Sequence, residues 1–130
     1  MISHIFIGVK DFDRAYRFYA ELMALLGNAP RFCDRERPWA GWQSQPEPRP
    51  LFLIGAPHDG NPHEAGNGQM VALQARSRAV VDEAWRLALS HGGMDEGAPG
   101  LRPAYHPHYY GAYFRDLEGN KLCVVCHEPA

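Results

Sequence analysis

The stretch ISHIFIGVKDFDRAYRFYAELMALLG, residues 2–27, changes from the periodicity of a strand to that of a helix within a few residues. Between Ile2 and Val9 the apolar side chains alternate in the manner of a β-strand with one apolar face. Beyond Asp11, apolar residues recur at steps of three and four until Gly27. Asp is a common helix N-cap, and Gly is the residue that most often ends a helix in the left-handed conformation. We therefore predict a strand followed by an amphipathic helix.

The second half of the chain repeats this pattern, which indicates an internal duplication. The segment QMVALQA, residues 69–75, predicts a strand, Ser77 can cap a helix, and Gly92 follows the last apolar residues of that helix. Short apolar or aromatic runs separated by turn residues predict further strands at residues 31–33, 39–43, 51–55, 111–115 and 121–127.

We therefore predict an α+β fold in a single domain that contains two tandem βαβββ modules. Module one spans residues 1–57, a Gly-, Pro- and Asn-rich linker spans residues 58–68, and module two spans residues 69–130.

The composition narrows the class of partner. The chain has 130 residues, of which 45% are hydrophobic and 22% charged, and its net charge is −2, so we expect one globular domain that binds neither nucleic acid nor a membrane. No apolar run approaches the ~20 residues of a membrane span. Three cysteines form an odd set at irregular spacing, which favours reduced thiols, and we expect a cytoplasmic protein.

Two segments resemble a known family. The opening HIFIGVKDFDRAYRFY (residues 4–19) and the closing hairpin FRDLEGNKLCVV (residues 114–125), set in two tandem modules, are similar to the vicinal oxygen chelate superfamily. This group contains glyoxalases, fosfomycin- and bleomycin-resistance proteins and extradiol dioxygenases. The stretch GLRPAYHPHYYGAYFRDLEGNK, residues 100–121, resembles an uncharacterised glyoxalase-like branch of it. The resemblance implies a curved, open, mixed sheet with an internal groove that holds a small molecule.

The resemblance also implies three metal-ligand positions, and these fall on His4, Met70 and Cys123. Only His4 has the residue type of the family, because Met70 and Cys123 replace its other two ligands. A His, Met and Cys set is soft, whereas Mg²⁺, Mn²⁺ and Fe²⁺ need carboxylate and imidazole donors. We therefore expect either no cofactor or one divalent metal ion at a degenerate site, and Cu(I) is a further alternative.

The residues that we expect to act in catalysis are His4, Tyr113 and Cys123. Strand alternation predicts that Tyr113 and Arg115 share the face of Cys123, whereas Cys126 points to the opposite face, so the C-x-x-C spacing is not a redox motif. Substrate-binding residues are expected among the aromatic, basic and apolar side chains that the resemblance and their density bring to the groove: Phe6, Trp39, Trp42, Met70, Tyr105, His108, Tyr109 and Arg115.

Two functions remain open from the sequence. The first is a glyoxalase-like protein, related to lactoylglutathione lyase, that acts on a small molecule in the groove between its modules as a lyase or isomerase. The second is a non-catalytic, bleomycin-resistance-type protein that sequesters a small molecule. In both cases the association of such modules edge to edge favours a homodimer.

Overall fold

The computed structural model describes all residues from Met1 to Ala130 and places them in two compact units, Met1–Ala65 and Gly66–Ala130. Each unit contains one helix and one four-stranded mixed sheet, so the prediction of an α+β fold with two βαβββ modules is confirmed. Neither helix has the length and apolar character that crossing a membrane requires.

The first unit has the strand order β1-β4-β3-β2, with β1 parallel to β4 and the other neighbours antiparallel. Its elements are β1 (His4–Gly8), α1 (Phe12–Leu26), β2 (Ala29–Asp34), β3 (Trp39–Gln43) and β4 (Leu51–Gly55).

Helix α1 begins and ends where its capping residues predict. The Asp11 carboxylate accepts a hydrogen bond from the backbone N–H of Arg14 at 3.1 Å, and Gly27 adopts φ 81°. The apolar face of the helix is buried against the sheet. Tyr19 is fully buried there, and its ring lies 5.2 Å from that of Phe52. The spacing of apolar residues therefore predicted both the helix and the side of it that packs.

The second unit repeats the topology with the strand order β5-β8-β7-β6, and β5 is parallel to β8. Its elements are β5 (Val71–Gln74), α2 (Arg78–Ser90), β6 (Met94–Leu101), β7 (Tyr110–Arg115) and β8 (Lys121–Cys126). Ser77 caps α2 by accepting a hydrogen bond from the backbone N–H of Val80 at 3.2 Å.

Strand β6 is the one element that the sequence analysis did not identify. It reads MDEGAPGL, and its two glycines and one proline are typical of turns. The register with β7 shifts between Asp95 and Gly97 and again between Gly97 and Gly100, so this strand is irregular. Bulged strands lack the alternation by which a strand is recognised, and tertiary pairing with β7 supplies the structure instead.

The turn between β7 and β8 is fixed by a buried carboxylate. Asp116 is 5% exposed and accepts hydrogen bonds from the backbone N–H groups of Glu118 at 2.8 Å and Asn120 at 2.9 Å, and from the Asn120 side-chain amide at 3.0 Å. This turn sets the register in which β7 and β8 pair.

Candidate functional site

The two faces of the second sheet differ sharply in chemistry. Tyr110 donates a hydrogen bond from its hydroxyl to Asp82 of α2 at 2.7 Å, so its side chain faces that helix. By alternation, Ala112 and Phe114 face the helix too, and both are fully buried. The opposite side, which we call the distal face, therefore carries the intervening residues of β7.

The register of the β7–β8 hairpin brings a tyrosine and a cysteine together on the distal face. Tyr113 pairs with Cys123, and Arg115 pairs with Lys121. Residues directly opposite on antiparallel strands project to the same side, so all four share this face, in agreement with the alternation in the sequence. Cys126 falls on the helix side of the same strand.

A third side chain completes this arrangement. The hydroxyl oxygen of Tyr109 lies 2.8 Å from that of Tyr113 and 3.6 Å from the Cys123 sulfur. We call these three residues the Tyr–Cys cluster. Each phenol O–H and the thiol S–H can both donate and accept one hydrogen bond, so the cluster is a compact set of three neutral hydrogen-bonding groups.

The surroundings keep the three groups protonated. Burial raises the pKa of Tyr109, and the bond to Tyr113 adds to this effect. Burial also raises the pKa of Tyr113 and that of the Cys123 thiol. Because the thiolate is the nucleophilic form of cysteine, a fully buried thiol with a raised pKa is poorly suited to nucleophilic attack. The cluster is suited to donating hydrogen bonds.

Positive side chains surround Tyr113. The guanidinium carbon of Arg102 lies 5.4 Å from the centre of its ring, and the Lys121 Nζ lies 5.9 Å from it. Arg115, in contrast, is neutralised, because its Nε donates to Glu96 at 3.1 Å.

Two histidines lie close to the ring of Tyr109. His106 Nε2 lies 2.8 Å from His127 Nδ1, and the ring centres of these residues are 5.7 and 5.5 Å from that of Tyr109. Tyr105 is 67% exposed and its ring centre is 4.9 Å from that of Tyr109. The His108 side chain is exposed, and only its backbone N–H takes part, donating to His106 Nδ1 at 3.1 Å.

The sequence analysis did not include His127 or Lys121 among the site residues. His127 follows the last strand, and nothing in its local sequence indicates a partner 21 residues earlier. The stacking of basic side chains on Tyr113 likewise depends on strand pairing, although the alternation of Cys123 and Lys121 on one face offered a signal for Lys121.

The candidates in the first unit lie on two different faces of its sheet. Trp42 is 2% exposed, and its ring centre lies 5.7 Å from that of Tyr16 in α1, so it packs in the core. Trp39 is three residues away in the same strand and points to the other side. There, a Cβ added at Gly55 would lie 3.0 Å from Trp39 Cβ and 3.2 Å from Phe6 Cζ, so the glycine lets these two residues approach each other. The structure thus assigns Trp42 to packing and leaves Trp39 and Phe6 as candidates.

His4 is exposed, and its Nδ1 lies 2.8 Å from the Ser3 hydroxyl. No group of three or more His, Cys, Asp or Glu side chains is arranged to hold a metal ion. Met70 is 44% exposed, and burial favours the protonated form of Cys123 over the thiolate that binds metals. The residues at the three family positions therefore do not fit a divalent ion of the hard type, which needs oxygen and imidazole donors.

Comparison with known proteins agrees with this fold. The family model for the Glyoxalase/Bleomycin resistance protein/Dioxygenase superfamily matches residues 1–124. A solved glyoxalase/bleomycin resistance protein from Albidiferax ferrireducens T118 is 31% identical over 97% of this chain and 98% of its own, with a TM-score of 0.85. No curated protein matches the chain.

More distant structures share the fold alone. The genomically encoded fosfomycin resistance protein FosX from Listeria monocytogenes is 16% identical over 98% of this chain and 93% of its own, with a TM-score of 0.66. The hypothetical protein SA1046 from S. aureus is 17% identical over 97% of this chain and 92% of its own, with a TM-score of 0.69. Together, the family match over residues 1–124 and the relative with 31% identity show that the chain belongs to the glyoxalase/bleomycin resistance protein/dioxygenase superfamily.

Proposed function

We propose that this member of the superfamily is a small-molecule binding protein whose ligand is held at the Tyr–Cys cluster without metal-dependent turnover. The single observation that carries the proposal is the set of three protonated groups on the distal face, with the two phenol oxygens 2.8 Å apart. Polar groups that converge among aromatic side chains are typical of small-molecule sites. Tyr105, which packs on Tyr109, supplies an exposed aromatic surface beside them.

The same groups are poorly matched to acid–base catalysis near neutral pH. An efficient general acid or base has a pKa near the working pH. Burial moves the pKa values of Tyr109, Tyr113 and Cys123 upward, away from neutrality. Binding by donated hydrogen bonds uses the protonated forms directly, and we therefore favour binding over turnover.

A glyoxalase-like lyase or isomerase is the second candidate. The observation that favours it is the hydrogen bond of ordinary length between the two phenols, along which a proton can pass. In that case Tyr113 is the residue that exchanges a proton with the substrate, and His4 and Cys123 stay predictions for further catalytic roles.

The experiment that tests the proposal is a ligand-observed NMR screen of small aromatic compounds against the protein and two variants. Tyr113→Phe removes one phenol from the cluster, and Tyr110→Phe removes a phenol from the helix side of the same strand as the matched control. We expect Tyr113→Phe to weaken the binding of cluster ligands about fivefold, the effect of one hydrogen bond of about 1 kcal/mol, and Tyr110→Phe to leave it unchanged.

Compounds that bind equally well to both variants would contradict the proposed location. Chemical conversion of a bound compound during the NMR experiment, abolished by Tyr113→Phe, would favour the lyase or isomerase over the binding protein.

We further propose that the protein is a homodimer, on the basis of the edge-to-edge association that the family resemblance implies. Sedimentation equilibrium at micromolar concentration is expected to give twice the mass of one chain. The mass of a single chain would overturn this proposal.

A further inference from the structure

The Tyr–Cys cluster carries positive charge that no acidic side chain compensates. Lys121 and Arg102 both lie against the Tyr113 ring, and neither pairs with a carboxylate. Glu96 is already paired with Arg115, at 3.1 Å between Oε1 and Nε. The cluster is therefore flanked by two uncompensated cations.

Arg102 is held in place by the backbone of the irregular strand β6. Its Nη1 donates to the carbonyl of Gly100 and its Nη2 to that of Ala98, both at 2.9 Å. A Cβ at Gly100 would lie 3.2 Å from Nη1, and one at Gly97 would lie 3.3 Å from Nη2, closer than most Cβ contacts. The glycines of β6 thus leave room for a guanidinium that is fixed beside Tyr113 before any ligand arrives.

Lys121 differs from Arg102 because its ammonium group is uncommitted. Its charge makes only the contact with the Tyr113 ring, at 5.9 Å. The positive charges of both residues also act on Cys123. Burial raises the pKa of its thiol, and the charges of Arg102 and Lys121 oppose part of that rise. One of the two phenol hydrogens is used in the bond between Tyr109 and Tyr113. The free ammonium and the remaining phenol hydrogen offer an anion a charge partner and a hydrogen-bond donor at one place.

From this arrangement we infer that the site takes an organic anion, a small aromatic acid whose carboxylate lies between the Lys121 ammonium and the phenols of Tyr109 and Tyr113. The inference rests on the proposed function and specifies its ligand class. Arg102 contributes long-range attraction, since its guanidinium nitrogens already donate to the backbone. The aromatic part of the ligand packs on the exposed ring of Tyr105.

The probes for this inference are benzoate and benzamide, which have nearly the same shape and differ in charge. Binding is measured from amide chemical shifts of residues in β7 and β8 in ¹H–¹⁵N spectra at pH 7.5. We expect benzoate to bind about tenfold more tightly than benzamide, the typical effect of a charge-assisted hydrogen bond. Raising the salt concentration should weaken the binding of benzoate and leave the binding of benzamide unchanged, because salt screens partly exposed charges.

Charge variants locate the effect. Lys121→Gln should remove most of the preference for benzoate, and Lys121→Arg should retain it. Lys10→Gln is the matched control, because it deletes the only other lysine, which lies in the first unit, and should leave the preference unchanged.

The outcomes separate this inference from the proposed function. If the two probes bind equally well and Tyr113→Phe weakens the binding of both, the inference of an anionic ligand is overturned. The proposed location of the binding site is then retained. An equal loss for Lys121→Gln and Lys10→Gln would overturn the inference of an anionic ligand too, because the preference would then reflect overall charge. If neither benzoate nor benzamide binds at the cluster while neutral compounds from the screen do, the inference of an anionic ligand is also overturned. Failure of every compound would overturn the site and the inference together.

Discussion

Alkaline pH should destabilise this protein through the Tyr–Cys cluster. A phenol ordinarily ionises near pH 10, but the folded chain raises the pKa of Tyr109 by burial and by its bond to Tyr113. Above pH 10 the unfolded chain releases the Tyr109 proton while the folded chain retains it. The unfolded state then binds fewer protons than the native state, so stability falls as pH rises. Below pH 10 both states are protonated, and Tyr109 contributes no pH dependence.

The size of the effect follows from the linkage relation. One group that ionises only in the unfolded state costs about 1.4 kcal/mol for each pH unit above its unfolded pKa. At pH 11, one unit above the ordinary phenol value, Tyr109 accounts for a loss of at most about 1.4 kcal/mol, because its side chain is only partly buried. Cys123 acts in the same direction from about pH 9, because burial also raises the pKa of its thiol.

The assay is urea unfolding followed by tryptophan fluorescence, under reducing conditions, at pH 8, 9, 10 and 11, for the wild type and Tyr109→Phe. The variant loses the bond to Tyr113, so it should be less stable by a constant amount of about 1 kcal/mol up to pH 9. That gap should close by pH 11, because the variant has no Tyr109 proton to release. Tyr105→Phe is the control, since its ring is largely in solvent.

Two results would refute this reasoning. One is that the free energies of unfolding of the wild type and of Tyr109→Phe differ by the same amount at every pH from 8 to 11. The other is a Tyr105→Phe variant whose curve flattens as much as that of Tyr109→Phe.

Three further predictions concern positions that the fold fixes. Trp42→Ala should lower the free energy of unfolding by about 3 to 5 kcal/mol, because it leaves a cavity in the core. Trp39→Ala should lower it by roughly half as much or less, and the urea midpoints of the two variants test the difference. Asp116→Ala leaves three donors without their acceptor and should cost about 3 kcal/mol, measured in the same way, and Asp116→Asn should recover part of it. Gly93→Ala would place a Cβ 2.7 Å from two backbone carbonyl oxygens and should lower the thermal midpoint by several degrees, a loss of about 2 kcal/mol.

The parts of the fold that the sequence predicted are those determined by local chemistry. Both helices begin directly after a capping side chain, Asp11 or Ser77, whose oxygen accepts a hydrogen bond from a backbone N–H within the first turn. The hairpin turn follows from Asp116, whose carboxylate accepts hydrogen bonds from backbone N–H groups two and four residues later. Such interactions involve near neighbours in the chain and can be recognised from short segments.

The parts that could not be predicted depend on distant pairing. Strand β6 exists because β7 lies beside it, and its glycines have a role only once Arg102 lies across them. Trp39 and Trp42 are the opposite case, because strand alternation in the sequence was enough to place them on opposite faces of the sheet. Residues three apart in a strand face opposite sides, and the argument that separates Cys123 from Cys126 also separates the two tryptophans. Their shared residue type suggested a common role that the strand geometry denies.

The contact between the two histidines permits only one arrangement of its hydrogens. His106 Nδ1 accepts the backbone N–H of His108, so in the neutral ring the hydrogen must sit on Nε2 and point at His127 Nδ1, which must be bare. His127 therefore carries its hydrogen on Nε2. These two tautomers let both hydrogen bonds form at once, and through them the segment after the last strand is joined to the loop that carries Tyr109.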